Sequence, residues 1–151
     1  MKKMLHAVLI VCLGCLVGFS PTWAANASYP MSHVCKTEPR LTLTKVTNTK
    51  DETILELEWV ETMNSSNVGV YPPGHDMAFF ITDTSNAKKY HLLDIDGVAI
   101  RPNGNYPQRG DVIKFKLVFE RIPMNRFHLI EGKLPKDGVM TWHFTNIKLQ
   151  Q

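Results

Sequence analysis

The sequence has little cysteine, with three among 151 residues. Two of them, Cys12 and Cys15, lie in an apolar run near the N-terminus, and Cys35 is the one that follows it. No intramolecular disulfide framework can therefore form beyond that run. In an oxidising compartment a lone cysteine is a buried thiol, an intermolecular bridge or a reactive group. We expect Cys35 to be a buried or unreactive thiol.

The sequence also lacks an apolar run long enough to span a membrane, which takes about 20 residues. An apolar run that carries no charge extends from Ala7 to Phe19 and then breaks at Pro21. Lys2 and Lys3 precede this run. A basic start, a short apolar stretch and small residues after it are typical of a secretory signal peptide that is removed.

Two small-x-small sites compete for signal cleavage, Thr22–Ala24 and Ala25–Ala27. The second has alanine at both recognised positions, which predicts a signal peptide of residues 1–27 and export to the periplasm or the medium. The alternative takes Leu13-Gly14-Cys15 as a lipidation signal, because a glycine before a cysteine at the end of an apolar run favours lipoprotein processing. Only in that case, with a lipid on Cys15, do we expect a membrane anchor.

The remaining 124 residues hold almost equal numbers of basic and acidic residues. Removing Lys2 and Lys3 with the signal lowers the number of basic residues from 17 to 15, against 14 acidic ones. Lysines and arginines are scattered and form no basic stripe interleaved with aromatics, so we expect no nucleic-acid partner. A chain of this length suffices for one domain with its own core.

Motifs of catalysis and of cofactor binding are missing as well. The chain has no nucleophile elbow, no His-Glu-x-x-His helix and no glycine-rich turn opening a helix that could hold phosphate. Acidic residues such as Glu56 and Glu58 alternate with apolar ones, as on the solvated face of a strand. We therefore expect neither an enzyme nor a cofactor.

What the sequence does have is alternation of apolar and polar residues, the period of half-buried strands. It is clearest in "ETILELEWVE" and "VIKFKLVFE", and no helix-period segment of useful length follows the signal. Residues 28–40 contain Pro30 and Pro39 and show no period, so we expect a lead-in segment there and a domain over residues 41–151. In "VMTWHFTNIKL" the apolar phase slips by one residue, which predicts a β-bulge.

Seven to nine short strands at this spacing predict an all-β fold, an immunoglobulin-like antiparallel β-sandwich, with a small closed β-barrel as the alternative. The inward positions of the strands predict the core. It comprises Leu55, Leu57, Trp59, Phe79, Ile81, Leu92, Ile113, Phe115, Leu117, Phe119, Leu129, Trp142 and Phe144.

The segments "FFITDTSNAKKYHLLDIDGVAI", "GDVIKFKLVFERIP", "RFHLIEG" and "WHFTNIKL" follow one another between Phe79 and Leu149. This succession resembles small exported bacterial immunoglobulin-like domains of unknown function. The resemblance implies a β-sandwich and export. The matching positions are mostly core and turn residues, so it implies no catalytic residue.

His75 and Met77, in the stretch "YPPGHDMAFF", are the first candidate metal ligands. Imidazole and thioether suit copper in an exported protein. However, a site needs more ligands, and the other methionines of the mature chain fall in no repeated motif. We expect a loop that runs into a strand.

Three further histidines, His91, His128 and His143, each lie between apolar residues of a predicted strand. Alternation predicts that they point away from the core, and they would form a zinc site only if their strands were neighbours. A third kind of site, for carbohydrate, would use loop aromatics, and Tyr29, Tyr71 and Tyr106 lie in predicted loops.

These observations together favour a non-enzymatic exported domain that binds another envelope or surface protein. The first alternative is a periplasmic protein that binds copper or zinc. The second is a carbohydrate-binding module.

Overall fold

A computed structural model describes residues 26–132 and 141–150, and within them the chain forms eight strands and no helix. No segment of these residues is a helix long and apolar enough to cross a membrane. The strands are β1 (Ala27–Val34), β2 (Leu41–Asn48), β3 (Glu52–Val60), β4 (Phe79–Thr82), β5 (Lys89–Asp96), β6 (Val112–Glu120), β7 (Arg126–Glu131) and β8 (His143–Lys148).

All eight strands belong to one antiparallel sheet with the order β1-β2-β3-β6-β5-β4-β7-β8. The two ends of the sheet approach each other, since the Lys36 N–H, just after β1, donates to the His143 carbonyl oxygen at 2.8 Å. The sheet thus curls into a nearly closed barrel. The predicted all-β class is confirmed, and the continuous sheet is the arrangement of the small-barrel alternative; a relation to immunoglobulin-like domains stays a prediction.

The core fills the inside of this curled sheet. Successive side chains of a strand point to opposite faces, so every second side chain points inward. Burial of the large apolar side chains among them supplies most of the stabilisation. Of the thirteen predicted core residues, eleven are buried, and Ile113 and Trp142 pack against the core while partly exposed. Trp142 joins opposite walls of the barrel, because its ring lies 5.6 Å from that of Trp59 on β3 and 5.9 Å from that of Phe79 on β4.

The segment expected to be an irregular lead-in is instead largely a strand. Residues Ala27 to Val34 form β1 and pair with β2, so the sheet begins before residue 41. The alternation in this strand is weak, and Tyr29 is its one fully buried side chain. The exposed Pro30 is tolerated because β1 is an end strand.

The β-bulge predicted near the C-terminus is confirmed. Phe127 pairs with Ile147 and Leu129 pairs with Phe144, so β8 holds one residue more than β7 between these two pairs. Asn146 has a φ of +56° there, a left-handed conformation that asparagine adopts more readily than most residues.

A buried ion-pair network fixes the end of β3 to the start of β2. Arg40 donates to Glu38 and to Glu61, and its guanidinium lies 4.4 Å from the centre of the Trp59 ring. Burial raises the pKa of Glu61, but hydrogen bonds from the Met63 N–H, Ser66, Trp59 and Arg40 outweigh it and lower the pKa to about 2. Glu61 is therefore a charged structural anchor.

Candidate functional site

The stretch that holds His75 and Met77 is a pair of turns that leads into β4. The His75 N–H donates to the Pro72 carbonyl at 3.1 Å, and the Ala78 N–H donates to the His75 carbonyl at 2.9 Å. Gly74 has a φ of +81°, which a residue with a side chain rarely adopts. We call residues 72–78 the GHD turn. The loop running into a strand is thus present as predicted.

The His75 ring is held within this turn. Its Nδ1 accepts the Met77 N–H at 3.0 Å, so the neutral ring carries its proton on Nε2. The ring also stacks on Tyr71, with 4.5 Å between centroids, and the guanidinium of Arg101 lies 5.5 Å from the Tyr71 ring centre. Tyr71 is therefore flanked by two planar groups.

The Met77 side chain packs against Gly132, at the end of β7. A Cβ at Gly132 would lie 2.7 Å from the Met77 terminal methyl and 3.0 Å from its sulfur. Met77 is half-buried in this contact. Its amide hydrogen bond to His75 and its packed side chain are structural roles.

The three strand histidines lie on one face of the sheet, spread across four strands. His91 on β5 pairs with Phe80 on β4, Phe80 pairs with Ile130 on β7, and Ile130 pairs with His143 on β8. Neighbouring strands are about 4.8 Å apart, so His91 and His143 are separated by three such spacings. The three histidines of these described strands are therefore not gathered around one possible zinc position.

Two of these histidines have structural partners. His128 Nδ1 accepts the Asn146 N–H at 2.9 Å, which holds the β8 bulge. His143 turns away from the core as alternation predicts but is buried, and its Nε2 lies 2.6 Å from the Thr141 hydroxyl oxygen. Burial lowers the pKa of His143, and the charge of Lys36 lowers it further.

Among residues 26–132 and 141–150, no three side chains of His, Cys, Asp or Glu are placed to hold one metal ion. The structure does bring two candidate histidines together in another way, because His75 and the exposed His91 line one cleft. This cleft, of about 360 Å³, lies between the GHD turn and the β4–β5 hairpin. Its lining comprises Gly74, His75, Asp76, Ala78, Phe79, Phe80, Lys89, His91, Leu92 and Gly132.

The lining combines an apolar part with polar groups of both charges. Phe80 and Leu92 are buried, whereas Asp76, Lys89 and His91 are exposed. The Lys89 ammonium lies 4.3 Å from the centre of the Phe80 ring, a cation–π contact that holds the charge beside the apolar surface. Sequence analysis did not find Asp76 or Lys89, because nothing local to either residue indicates that the turn and the hairpin meet.

Next to the cleft lies a buried carboxyl group, that of Glu131, which precedes Gly132 at the end of β7. Its Oε2 accepts the Trp142 N–H at 3.3 Å. Burial raises the pKa of Glu131 to about 7, although this hydrogen bond and the charge of Arg101 act in the opposite direction. The sequence gives no sign of this group, since a glutamate at a strand end is ordinarily exposed.

Of the tyrosines considered for carbohydrate binding, Tyr106 is the one with a widely exposed side chain. Tyr29 belongs to β1, where its exposure is 4%, and so it is not a loop residue. Tyr71 is partly buried, and its ring contacts His75 and Arg101, as described above. Tyr106 is 69% exposed in the loop before β6.

Comparison of the chain with protein-family models, with curated protein sequences and with solved structures finds no match in any of the three. The function is therefore inferred from the chain's own residues and geometry.

Proposed function

We propose that the protein is an exported, non-enzymatic domain that binds a segment of another envelope or surface protein in the cleft beside the GHD turn. The observation that carries this proposal is the lining of the cleft. Phe80 offers apolar contact, and Asp76, Lys89 and His91 offer charge and hydrogen bonds around it.

A polypeptide segment matches this chemistry better than an ion does. A peptide carries apolar side chains, amide groups and charges within a few residues of one another, and each finds a counterpart in the cleft. A metal ion would need ligands from several sides at about 2 Å. His75 offers only Nε2, because its Nδ1 already accepts a backbone hydrogen bond.

The export part of the proposal rests on the N-terminal sequence, which lies largely outside the described residues. Lys2 and Lys3, the apolar run and the alanines at positions 25 and 27 support it. The resemblance to exported immunoglobulin-like domains supports the same location. This resemblance implies no catalytic residue, which agrees with the lack of a catalytic motif in the sequence.

Site-specific photo-crosslinking in living cells tests the proposal. A photoreactive amino acid replaces His91, at the rim of the cleft, and in a control variant it replaces Lys116, an exposed residue of β6 that is not in the cleft lining. We expect position 91 to yield a covalent adduct of discrete mass with one envelope protein. Adding Lys89→Glu should weaken that adduct, since it reverses a charge beside Phe80.

An adduct that forms equally from position 116, or the absence of an adduct from position 91, would refute the cleft as the binding site.

The copper or zinc alternative is tested by calorimetric titration of the mature protein with Cu(I), Cu(II) and Zn(II). Micromolar or tighter binding that disappears with His75→Ala and Met77→Ala would replace the protein-binding proposal by a metal-binding one.

A further inference from the structure

A second cavity, of about 480 Å³, lies beside the GHD turn and shares the side chain of His75 with the cleft. Its other lining residues are Tyr71, Pro72, Arg101 and Pro102. The tyrosine ring and the two prolines supply apolar surface, and Arg101 is the charged residue of this lining. The cavity therefore joins an apolar wall to one positive charge.

The backbone holds Arg101 in place at this wall. The Val70 N–H donates to the Ala99 carbonyl at 3.0 Å, and the Arg101 N–H donates to the Val70 carbonyl at 2.9 Å. The Nε of Arg101 donates to the Gly69 carbonyl oxygen at 3.1 Å, which orients the guanidinium. Neither of its two terminal nitrogens donates to a group within residues 26–132 and 141–150. The fork of Arg101 is thus positioned and is available to a ligand.

Arg40 shows how this protein satisfies a half-buried arginine that lies against an aromatic ring. Its guanidinium lies 4.4 Å from one ring centre, and that of Arg101, also half-buried, lies 5.5 Å from another. Arg40 pairs with the carboxylates of Glu38 and Glu61, whereas Arg101 forms no ion pair within the described part of the chain. Partial desolvation of a charge is unfavourable unless an opposite charge compensates it. Arg101 therefore lacks the carboxylate partner that Arg40 has.

The carboxyl group of Glu131 does not take the place of that partner. Burial raises the pKa of Glu131 to about 7, against the opposing effects of the Trp142 hydrogen bond and of the Arg101 charge. Near neutral pH this carboxyl group is therefore only partly ionised. Its Oε2 already accepts the Trp142 N–H, and it is not within ion-pair distance of Arg101.

His75 adds a second hydrogen-bond donor to the cavity. Its Nδ1 accepts the Met77 N–H, so the neutral ring carries its proton on Nε2. With the Arg101 fork, the cavity offers donors to a ligand that has a carboxylate and a second acceptor oxygen. The last residue of a polypeptide has both, namely its terminal carboxylate and the carbonyl oxygen of the preceding amide. Its side chain can contact the apolar wall.

We propose that this cavity binds the C-terminal residue of the partner polypeptide. Arg101 holds the terminal carboxylate in a bidentate pair, and His75 donates from Nε2 to the preceding carbonyl oxygen. That the ligand is a polypeptide rests on the proposed function. The shared His75 places the cavity next to the cleft, so a segment that lies in the cleft can end at Arg101.

An NMR titration of the mature protein with N-acetylphenylalanine, which has a carboxylate and an amide carbonyl, tests the proposal. We expect the amide signals of the GHD turn and of Arg101 to shift, with a Kd of about 1 mM for a ligand of this size. N-acetylphenylalaninamide, which has no charge, should bind about tenfold more weakly. Arg101→Lys keeps the charge but removes the fork and should weaken binding of the acid about tenfold. His75→Phe keeps a ring but no donor and should weaken it about threefold or more.

The matched control is Arg109→Lys, the same change at an exposed residue of the same long loop, which should leave the Kd unchanged. Denaturation midpoints check the folding of all three variants. If a variant is perturbed, the comparison of acid with amide on the unaltered protein still decides. Equal binding of acid and amide, an unchanged Kd in Arg101→Lys, or no binding at about 10 mM would overturn the proposal.

Two further probes separate other sources of negative charge. Inorganic phosphate that binds as tightly as N-acetylphenylalanine would identify a general anion site, and glucuronate that binds as tightly would identify a site for acidic sugars. Either result would overturn the assignment to a polypeptide end. The probes are too small to fill the cleft as well, so this titration and the crosslinking from position 91 can each fail alone.

Discussion

Phe79 and His75 are four residues apart and lie in opposite environments. Phe79 is 1% exposed and contacts Trp142 in the core, whereas His75 is exposed on the GHD turn. We predict that Phe79→Ala lowers the free energy of unfolding by about 3 kcal/mol or more, as cavity formation at a buried aromatic does. His75→Ala should change it by at most about 0.5 kcal/mol.

Chemical denaturation measures both values, first in chelator and again with added copper or zinc. Phe79→Leu, which keeps much of the apolar volume, is the matched control and should lose less than Phe79→Ala. If His75→Ala lost stability only in the presence of metal, the structural role given to His75 would be wrong.

Glu131 should make stability depend on pH. Its pKa is raised from an ordinary 4.5 to about 7, so between these values the folded chain keeps a proton that the unfolded chain releases. Stability from this group is thus full below about pH 4.5 and is lost as the pH rises through 7. The loss is about 3 kcal/mol at most, at 1.36 kcal/mol for each pH unit.

The measurement is urea denaturation between pH 4.5 and 8.5 for the unaltered protein and for Glu131→Gln. The unfolding free energy of the unaltered protein, relative to that of Glu131→Gln, should fall as the pH rises. Taking the difference removes the contribution of His143, whose lowered pKa acts in the opposite sense at low pH. Parallel pH profiles for the two proteins would show that Glu131 is not the titrating group.

At the scale of single residues, the alternation of apolar and polar residues predicted well which way a strand side chain points, but it predicted burial less well. It placed His91, His128 and His143 away from the core, since successive strand side chains point to opposite faces. It did not predict that His143 is buried, because its surroundings include Thr37, which accepts the His143 N–H and is distant in sequence. The cleft was not predictable for the same reason.

At the scale of elements, the bulge in β8 depends on one backbone conformation. Asn146 has a φ of +56°, which costs a β-branched residue about 1–3 kcal/mol. We predict that Asn146→Val lowers the unfolding free energy by that amount, whereas Asn146→Gly stays within about 0.5 kcal/mol. Lys148→Val, an exposed change on the same strand, is the control, and an equal loss there would contradict the role of φ.

The elements themselves were predicted where the apolar period is strong. β3 and β6 have unbroken alternation, and their pairing from Glu52↔Glu120 to Val60↔Val112 has no register shift. β1 was missed because its burial is shallow and it contains a proline, Pro30. The segment "VGVY", whose period is too short to predict a strand with a partner, forms two isolated bridges with the loop before β6, Val68↔Asn105 and Val70↔Ile100.

At the scale of the whole molecule, signal cleavage determines the mature protein. Cleavage after Ala27 would remove only the first residue of β1, whose second residue, Ser28, pairs with Thr47. We predict that the intact mass of the exported protein corresponds to a chain that begins at Ser28. A chain that begins at Cys15 and carries a diacylglyceryl group would contradict this, and would mean that the protein is anchored to a membrane.

The sequence by itself determined the all-β class, most of the core and the bulge, since these follow from a period of two and from its one interruption. These properties are local, because each depends on side chains within a few residues of one another. Only the tertiary structure decided that the strands form one nearly closed sheet, since the apolar period of a strand does not indicate which other strand it pairs with. It likewise decided the proposed cleft, where the turn that holds His75 meets the β4–β5 hairpin that holds His91.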